Sequence, residues 1–404
     1  MALRIFDTKS DSLREFHPAD PVAVRMYVCG PTVYSDAHIG HARSYVCFDV
    51  MRRYLEYQGH QVSMVINITD IDDVIDTKAE RLGENPESVA KRYEKRFLED
   101  LRMLNLRPPQ ATPRVSESVA DMIEIIEDLN ENGYIYDVGG NYYFRVGLPG
   151  GYGQLTHESP ENLLADKAKI GNRENPFDFV IWKKGKEGTK TFDASFGRGR
   201  PGWHIQCYSM MRRFLGDTID IHGGGEDLKF PHHESNILLS VAHQGRDITN
   251  YHVHNGFITL GKEKMSKSLG NFVPLRDIFE RSTGSAVRFY LLRTHYRETI
   301  DYDEEAIGKA QNDVNVVFRL VLDLEKIQRR GETRDPVEQT ITSLRRRFLG
   351  SMDDDFDTSK ATLVLLELVD FVSPMLPDLR ANEARLVLNF LEETDTILGL
   401  TGAN

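Results

Sequence analysis

Residues 24–66 read VRMYVCGPTVYSDAHIGHARSYVCFDVMRRYLEYQGHQVSMVI. Apolar and polar side chains alternate over residues 24–30, and the alternation stops at Gly30-Pro31, which predicts a strand that ends in a turn. Apolar residues then recur every three or four positions over residues 42–57, which predicts a helix that ends near Gly59. Residues 62–66 follow as a second apolar strand. This βαβ unit predicts a parallel sheet with a ligand crevice at the carboxyl ends of its strands.

The rest of the chain predicts an interrupted α/β domain followed by helices. Charged helical sequence over residues 76–133 is followed by glycine-rich, strand-like sequence over residues 134–198, which indicates an insertion. Apolar runs at 218–221 and 253–258 resume the parallel sheet, and helical spacing begins near residue 303. The predicted fold class is α/β, a Rossmann-like parallel sheet with an inserted connective domain, followed by an α-helical bundle. We predict four segments, namely 1–115 and 199–302 for the two halves of the catalytic domain, 116–198 for the insertion and 303–404 for the bundle.

The composition excludes several classes of protein. Fifty basic and 62 acidic residues give a net charge of −12, which argues against a non-specific nucleic-acid binder with a positive surface. The three cysteines, Cys29, Cys47 and Cys207, are too few and too scattered for a disulfide framework, so we expect a reducing, cytoplasmic setting. Cys47 lies midway along an apolar helix and is expected in the core. The amino terminus becomes charged too early for a signal peptide, and no run approaches the roughly 20 apolar residues of a membrane span.

Two short motifs predict a nucleotide site. His38-Ile39-Gly40-His41 lies between the predicted strand and helix, where backbone N–H groups and the helix dipole favour phosphate and Gly40 lets a nucleotide approach. Far along the chain, Lys264-Met265-Ser266-Lys267-Ser268 lies in a polar loop whose lysines can neutralise a departing pyrophosphate. Each motif alone also fits a turn with two histidines or a solvated lysine loop. Both together, in this order after a βαβ unit, predict ATP binding.

Further segments of unusual composition carry a family resemblance. They are 27–32 (YVCGPT), 67–73 (NITDIDD), 175–179 (NPFDF), 202–207 (GWHIQC), 222–225 (HGGG), 230–234 (FPHHE) and 352–356 (MDDDF). With them, the chain resembles the class I aminoacyl-tRNA synthetases, and among these the cysteinyl-tRNA synthetase family, over nearly all of its length. The resemblance implies activation of cysteine with ATP and Mg²⁺ to cysteinyl-adenylate, and its transfer to the acceptor arm of tRNA(Cys).

The resemblance also implies one zinc ion per chain, held by Cys29, Cys207 and His232, which binds the substrate thiolate. Two thiolates and an imidazole suit tetrahedral zinc with an open fourth position. Because zinc prefers sulfur, such a site would reject serine and alanine. The family places a glutamate four residues after the ligand histidine, whereas this chain has Asn236. Two alternatives stay open, a site with three protein ligands before substrate binds and a site that Glu234 completes.

Other residues receive roles by the same resemblance. His38 and His41 are implied to steady the phosphates, and Lys267, helped by Lys264, to stabilise the transition state of adenylation. The implied ATP-binding residues are Gly40, His41, Gly225, Lys264, Ser266 and Lys267. The implied substrate-binding residues are Gly30, Thr69, Trp203 and Asp227.

The carboxyl-terminal part of the chain leaves a second function open. Family members usually continue into a small anticodon-binding domain, which we expect to be lacking here because the sequence stops soon after residue 400. Together with Asn236, this resembles a sister group, the cysteine:glucosaminyl-inositol ligases of mycothiol synthesis, so a cysteine ligase for a small amine is the alternative. Segments 175–179, 268–272 and 352–356 follow the synthetase pattern more closely. The basic residues at 326–330 and 345–347 are either a phosphate-binding face for tRNA or a solvated helix surface.

Overall fold

The computed structural model describes residues 2–159, 162–163, 172–265 and 270–401. Its strands are β1 (Arg4–Asp7), β2 (Ser12–Glu15), β3 (Ala23–Val28), β4 (Gln61–Ile66), β5 (Ile135–Val138), β6 (Asn141–Phe144), β7 (Phe179–Lys184), β8 (Gly199–Pro201), β9 (Ile219–Gly225), β10 (Thr249–Asn255), β11 (Ile258–Leu260), β12 (Glu263–Lys264) and β13 (Ile300–Asp301). Its α-helices are α1 (Ile39–Tyr57), α2 (Asp73–Leu82), α3 (Pro86–Met103), α4 (Val119–Glu131), α5 (Trp203–Leu215), α6 (Glu234–Gln244), α7 (Leu275–Phe279), α8 (Gly284–Leu292), α9 (Glu304–Glu325), α10 (Asp335–Asp353), α11 (Thr358–Val372) and α12 (Ala381–Leu398).

The central sheet confirms the predicted βαβ unit. β3 pairs in parallel with β4 through the crossover helix α1, and its other edge pairs in parallel with β9. β10 lies beyond β9, so the order within the described residues is β10-β9-β3-β4. The sheet therefore grows in opposite directions from β3. The crevice at this switch point, beyond the carboxyl ends of β3 and β9, is where open α/β sheets bind ligands.

Helix α1 begins at Ile39, earlier than the apolar spacing from Ala42 predicts. The His38 ring accepts a hydrogen bond from the backbone N–H of Gly40 through Nδ1 (3.1 Å), and the backbone N–H of His38 donates to Nδ1 of His41 (3.1 Å). This reciprocal arrangement satisfies N–H groups that an α-helix leaves unpaired at its start, as a capping box does. A Cβ at residue 40 would lie 2.9 Å from the His38 ring, so glycine preserves the cap.

The strand-like region after α4 forms a separate antiparallel sheet with the order β5-β6-β7-β8. Its buried Phe144 and Trp182 belong to the same hydrophobic cluster as Cys29 and Cys207. The antiparallel sheet and the crevice of the central sheet are therefore packed together. The four segment boundaries proposed from the sequence stay predictions.

The carboxyl-terminal helices α9 to α12 form a bundle that packs against α1. Buried Leu320, Phe348, Leu365 and Phe390, one from each of these helices, share a hydrophobic cluster with Val46 of α1. The predicted helical class of this region is confirmed. Among the described helices, none combines the length and the apolar character that crossing a membrane requires.

Candidate functional site

The structure brings Cys29, Cys207 and His232 together at the carboxyl edge of the central sheet. Cys29 follows β3, Cys207 lies on α5, and His232 lies in an irregular turn, Lys229–His233, that precedes α6. Their potential ligand atoms lie within 4.8 Å of one another, and all three residues are buried. The two sulfur atoms are 3.7 Å apart, and Nε2 of His232 is 3.2 Å from Sγ of Cys207. Zn–S bonds of ~2.3 Å at the tetrahedral angle place two sulfur atoms ~3.8 Å apart, so this donor set fits zinc.

The protonation of the two thiols also suits a metal. Burial raises the pKa of Cys29 well above its usual range, and its S–H donates to Cys207. That hydrogen bond, together with the neighbouring His232, lowers the pKa of Cys207 well below its usual range. This hydrogen bond places the thiol proton on Cys29 and favours the thiolate form of Cys207. A metal ion replaces the remaining proton when it binds, because thiolates are the ligands.

A layer of histidines lies behind Cys29. Nε2 of His233 and Nε2 of His222 are 3.2 Å and 3.5 Å from Sγ of Cys29, and these three residues form a second group whose ligand atoms lie within 4.8 Å of one another. Nδ1 of His233 is 2.8 Å from Nε2 of His254 on β10. Burial lowers the pKa of all three histidines, which keeps the imidazoles neutral. The sequence interpretation missed this layer, although HGGG, PHHE and the alternation of His252 with His254 were visible signals.

Two neighbouring side chains fix the ring of His232. Nδ1 of His232 is 3.0 Å from Nδ1 of His204, while Trp203 stacks on the same ring at 4.2 Å between centroids and 15° between planes. Because Nε2 of His232 faces sulfur, its other nitrogen is the one that an outer partner orients, as is usual for metal-ligating histidines. Trp203, which the sequence predicted to bind substrate, is 41% exposed at the rim of the pocket. His204, its neighbour in the chain, was missed.

Asn236 and Glu234 make different contacts in the structure. The side-chain amide of Asn236 donates to the backbone carbonyl of His204 (2.8 Å), while its buried Oδ1 accepts no hydrogen bond from the described residues. The carboxylate of Glu234 accepts four backbone N–H bonds from residues 153–156 and belongs to neither group of potential metal ligands in the described part of the chain. Of the two alternatives for the metal site, the geometry favours three protein ligands without Glu234.

Residues 273–275, which follow the lysine motif, contact the start of the His38–His41 motif although the two are far apart in the chain. The backbone N–H of Ile39 donates to the carbonyl of Val273 (3.2 Å), and that of Leu275 donates to Ala37 (2.9 Å). The segment that follows the lysine motif thus lies against the His38–His41 motif. Since Nδ1 accepts a hydrogen bond in both rings, the neutral tautomer carries its proton on Nε2, where it can donate to phosphate.

The lysine motif itself is described only in part. Lys264 contributes backbone pairing to β12, which lies antiparallel to β11. Ser266 and Lys267 lie outside the described residues, as does the side chain of Lys264. Their predicted contacts with ATP therefore stay predictions.

Comparisons with known proteins agree with this geometry. Residues 15–312 match the family model of the class I (C) tRNA synthetase catalytic domain. The chain is 40% identical to a protein named cysteine–tRNA ligase from Thermococcus onnurineus, over 99% of this chain and 87% of that protein. It is also 40% identical to a protein of the same name from Brevibacillus brevis, over 99% of this chain and 88% of that protein. The chain belongs to the cysteine–tRNA ligase family.

A solved structure supports the class I synthetase fold of this family member. Methionyl-tRNA synthetase of Mycobacterium tuberculosis, in complex with methionyl-adenylate, superposes with a TM-score of 0.68 at 17% identity, over 94% of this chain and 90% of that chain. At this identity the likeness concerns the fold alone.

The predicted substrate-binding residues of this family member lie around the same crevice. The backbone N–H of Gly30 donates to Oδ1 of Asn67 (2.8 Å), and Nδ2 of Asn67 donates to Thr69 (3.3 Å). A Cβ at residue 30 would lie 1.5 Å from the Asn67 carbonyl oxygen, so only glycine fits there. Asn67, which the sequence interpretation missed, thus joins two predicted residues and lies 3.8 Å from the Cys207 sulfur.

Asp227 lies just after β9, exposed, with its Oδ1 2.7 Å from where a Cβ at Gly225 would lie. Cys47 is buried among apolar side chains of α1, which confirms its predicted place in the core, and burial raises its pKa to about 12.

Proposed function

We propose that this protein activates cysteine with ATP and transfers it to tRNA(Cys), the activity for which its relatives are named. The observation that carries the proposal is the buried group of Cys29, Cys207 and His232 beside the sheet's switch point, in a chain of this family. It offers a sulfur-binding centre at the edge where the nucleotide motif also lies. The amino acid and the nucleotide can therefore bind next to each other at this edge of the sheet.

Zinc is the metal that this donor set fits best. Cys29, Cys207 and His232 would hold it, with Trp203 and His204 fixing the histidine ring. When bound, zinc would supply a Lewis-acidic position that prefers a thiolate to the hydroxyl of serine or the methyl of alanine. Asn236, which is not charged, would leave that position open for substrate.

The first step we propose is attack of the cysteine carboxylate on the α-phosphorus of ATP, whose phosphates carry Mg²⁺. His38 and His41 present Nε2–H groups to the phosphates, and Lys264 and Lys267 neutralise the charge that develops on the departing pyrophosphate. Gly40, Gly225 and Ser266 contact ATP, while Gly30, Thr69, Trp203 and Asp227 surround the amino acid. A ribose hydroxyl at the tRNA terminus then attacks the carbonyl of the adenylate, and AMP leaves.

The test is cysteine-dependent exchange of pyrophosphate into ATP, followed by transfer to purified tRNA(Cys) or to a glucosaminyl-inositol amine. We expect exchange with cysteine but not with serine, and transfer to tRNA. The small-amine alternative has no support from the comparisons. A protein that forms adenylate normally, charges no tRNA at any salt concentration and acylates the amine would reverse this conclusion.

A further inference from the structure

Glu234 is a fully buried carboxylate whose partners come from the antiparallel-sheet region. Its two oxygen atoms accept backbone N–H bonds from Gly153 and Gln154 (2.9 and 3.1 Å) and from Leu155 and Thr156 (2.7 and 3.2 Å). Successive backbone N–H groups of this kind form a concave anion-binding nest. Burying a charge is costly unless it is hydrogen-bonded in this way. We call residues 152–157 the clasp loop.

The clasp loop holds the turn that carries His232 at further points. The hydroxyl of Tyr152 is 2.8 Å from Oγ of Ser235, which donates to the carbonyl of Pro231 (2.7 Å). The Tyr152 ring packs edge-on against Phe230, with 5.1 Å between centroids. The loop therefore contacts residues on both sides of His232.

The turn needs such support because it is not a regular helix. Within Lys229–His233, Phe230 has extended backbone angles (φ −129°, ψ 133°), so the helical hydrogen-bond ladder is interrupted just before His232. The clasp loop is also linked to the histidine layer through Thr8. Nε2 of His157 lies 2.8 Å from the carbonyl of Thr8, and Oγ1 of Thr8 lies 2.8 Å from Nδ1 of His254.

We propose that Glu234 is a positioning residue that locks the turn bearing His232 to the clasp loop and thereby sets metal retention and cysteine binding. The inference rests on the proposed function, since it concerns the same metal pocket. Within the described residues, Glu234 belongs to neither group of potential metal ligands. It acts through the backbone of a turn in which His232 lies two residues earlier.

The test compares Glu234→Gln with Glu383→Gln. Both glutamates are fully buried and accept backbone N–H bonds, but Glu383 lies in the helical bundle, where it pairs with Arg334. Glutamine offers one acceptor oxygen and turns an NH₂ group toward the donors of the loop. We expect Glu234→Gln to release zinc to a chromogenic chelator about tenfold faster, and to raise KM for cysteine more than KM for ATP in pyrophosphate exchange. Glu383→Gln should lower thermal stability while leaving zinc release and both KM values unchanged.

Unchanged zinc release and cysteine KM in folded Glu234→Gln would overturn the inference, because the clasp would then be merely structural. If that variant does not fold, Gly153→Ala decides by the same two measurements. Residue 153 has φ +111°, and a Cβ there would lie 2.7 Å from the Glu158 carbonyl, so alanine displaces the loop and leaves α6 intact. If wild-type protein contains no zinc, the metal assignment in the proposed function fails together with this inference. If wild-type protein contains zinc and the variant matches it in zinc release and KM for cysteine, only this inference fails.

Discussion

The metal pocket was predicted from family resemblance and the basic face of the bundle from runs of basic residues, and the structure shows different surroundings for the two. In the pocket, Cys29, Cys207 and His232 converge from distant parts of the chain and leave room for a shared ligand. We define the basic face as Lys326, Arg329, Arg330, Arg345, Arg346 and Arg347. There, Arg345 pairs with Glu393 and Arg347 with Glu367 on neighbouring helices.

The comparison teaches that a run of like charges in the sequence overstates the positive potential of the folded surface. Arg329 and Lys326 likewise pair with Asp378 and Asp323. A pair that is exposed on both sides, such as Arg347 with Glu367, contributes less than about 1 kcal/mol, so a phosphate can replace the carboxylate. Buried polar groups in the pocket cannot exchange partners in this way, because a buried group left without a partner lowers stability by more than the loss of an exposed pair. Substitutions should therefore have large effects in the pocket and small ones on the basic face.

The largest expected effect is that of Cys207→Ser. Loss of a proposed zinc-binding sulfur should abolish stoichiometric zinc in protein purified without added metal. It should also reduce cysteine-dependent pyrophosphate exchange by more than about 100-fold, since mutating a mere hydrogen-bond partner of a metal ligand already lowers metal affinity or activity by about 10–100-fold. Cys47→Ser is the matched control, because Cys47 is equally buried but lies in the core. Full zinc content and full selectivity for cysteine in Cys207→Ser would show that the pocket is not a metal site.

A smaller effect is expected from His204→Ala, which removes the side chain that faces Nδ1 of His232. We expect zinc affinity, measured by competition with a chelator, to fall by about 10-fold or somewhat more. His204→Gln, which keeps a hydrogen-bonding group, should recover part of the loss. Equal affinities in the two variants and the wild type would mean that His232 needs no such partner.

On the basic face, simultaneous replacement of Arg345, Arg346 and Arg347 by alanine should leave pyrophosphate exchange unchanged. Charging of tRNA should fall only a few-fold, with a salt dependence flattened by roughly one to three units, because two of the three arginines are already paired. The measurement is kcat/KM for tRNA(Cys) across a salt series. A loss of exchange would contradict the separation between pocket and face.

The smallest effect should come from freeing those arginines. In the double variant Glu367→Gln and Glu393→Gln, Arg345 and Arg347 lose their carboxylate partners, so tRNA charging should rise about twofold at low salt and its salt dependence should steepen. The double variant Glu131→Gln and Glu305→Gln, two exposed changes outside the basic face, controls for net charge. If the salt dependence of charging does not steepen in the double variant, the tRNA phosphates do not bind at the basic face.

The sequence by itself determined the class of fold. Apolar spacing marks strands and helices because one face of each must be buried, and this was enough for β3, α1, β4 and the helical bundle. It missed the first residues of α1, because their helical state depends on hydrogen bonds between the His38 and His41 rings and nearby backbone N–H groups. The metal ligands that we propose followed from family resemblance, not from spacing.

Only the tertiary structure decided which residues around the pocket contact one another. His222, His233 and His254 form one layer because a turn and two parallel strands bring them together. The role of Glu234 depends on backbone N–H groups of residues 153–156, which every sequence possesses and no motif distinguishes. Whether a buried carboxylate binds a metal or anchors a loop is decided by which donors the fold brings to it, since the charge must be compensated by one or the other.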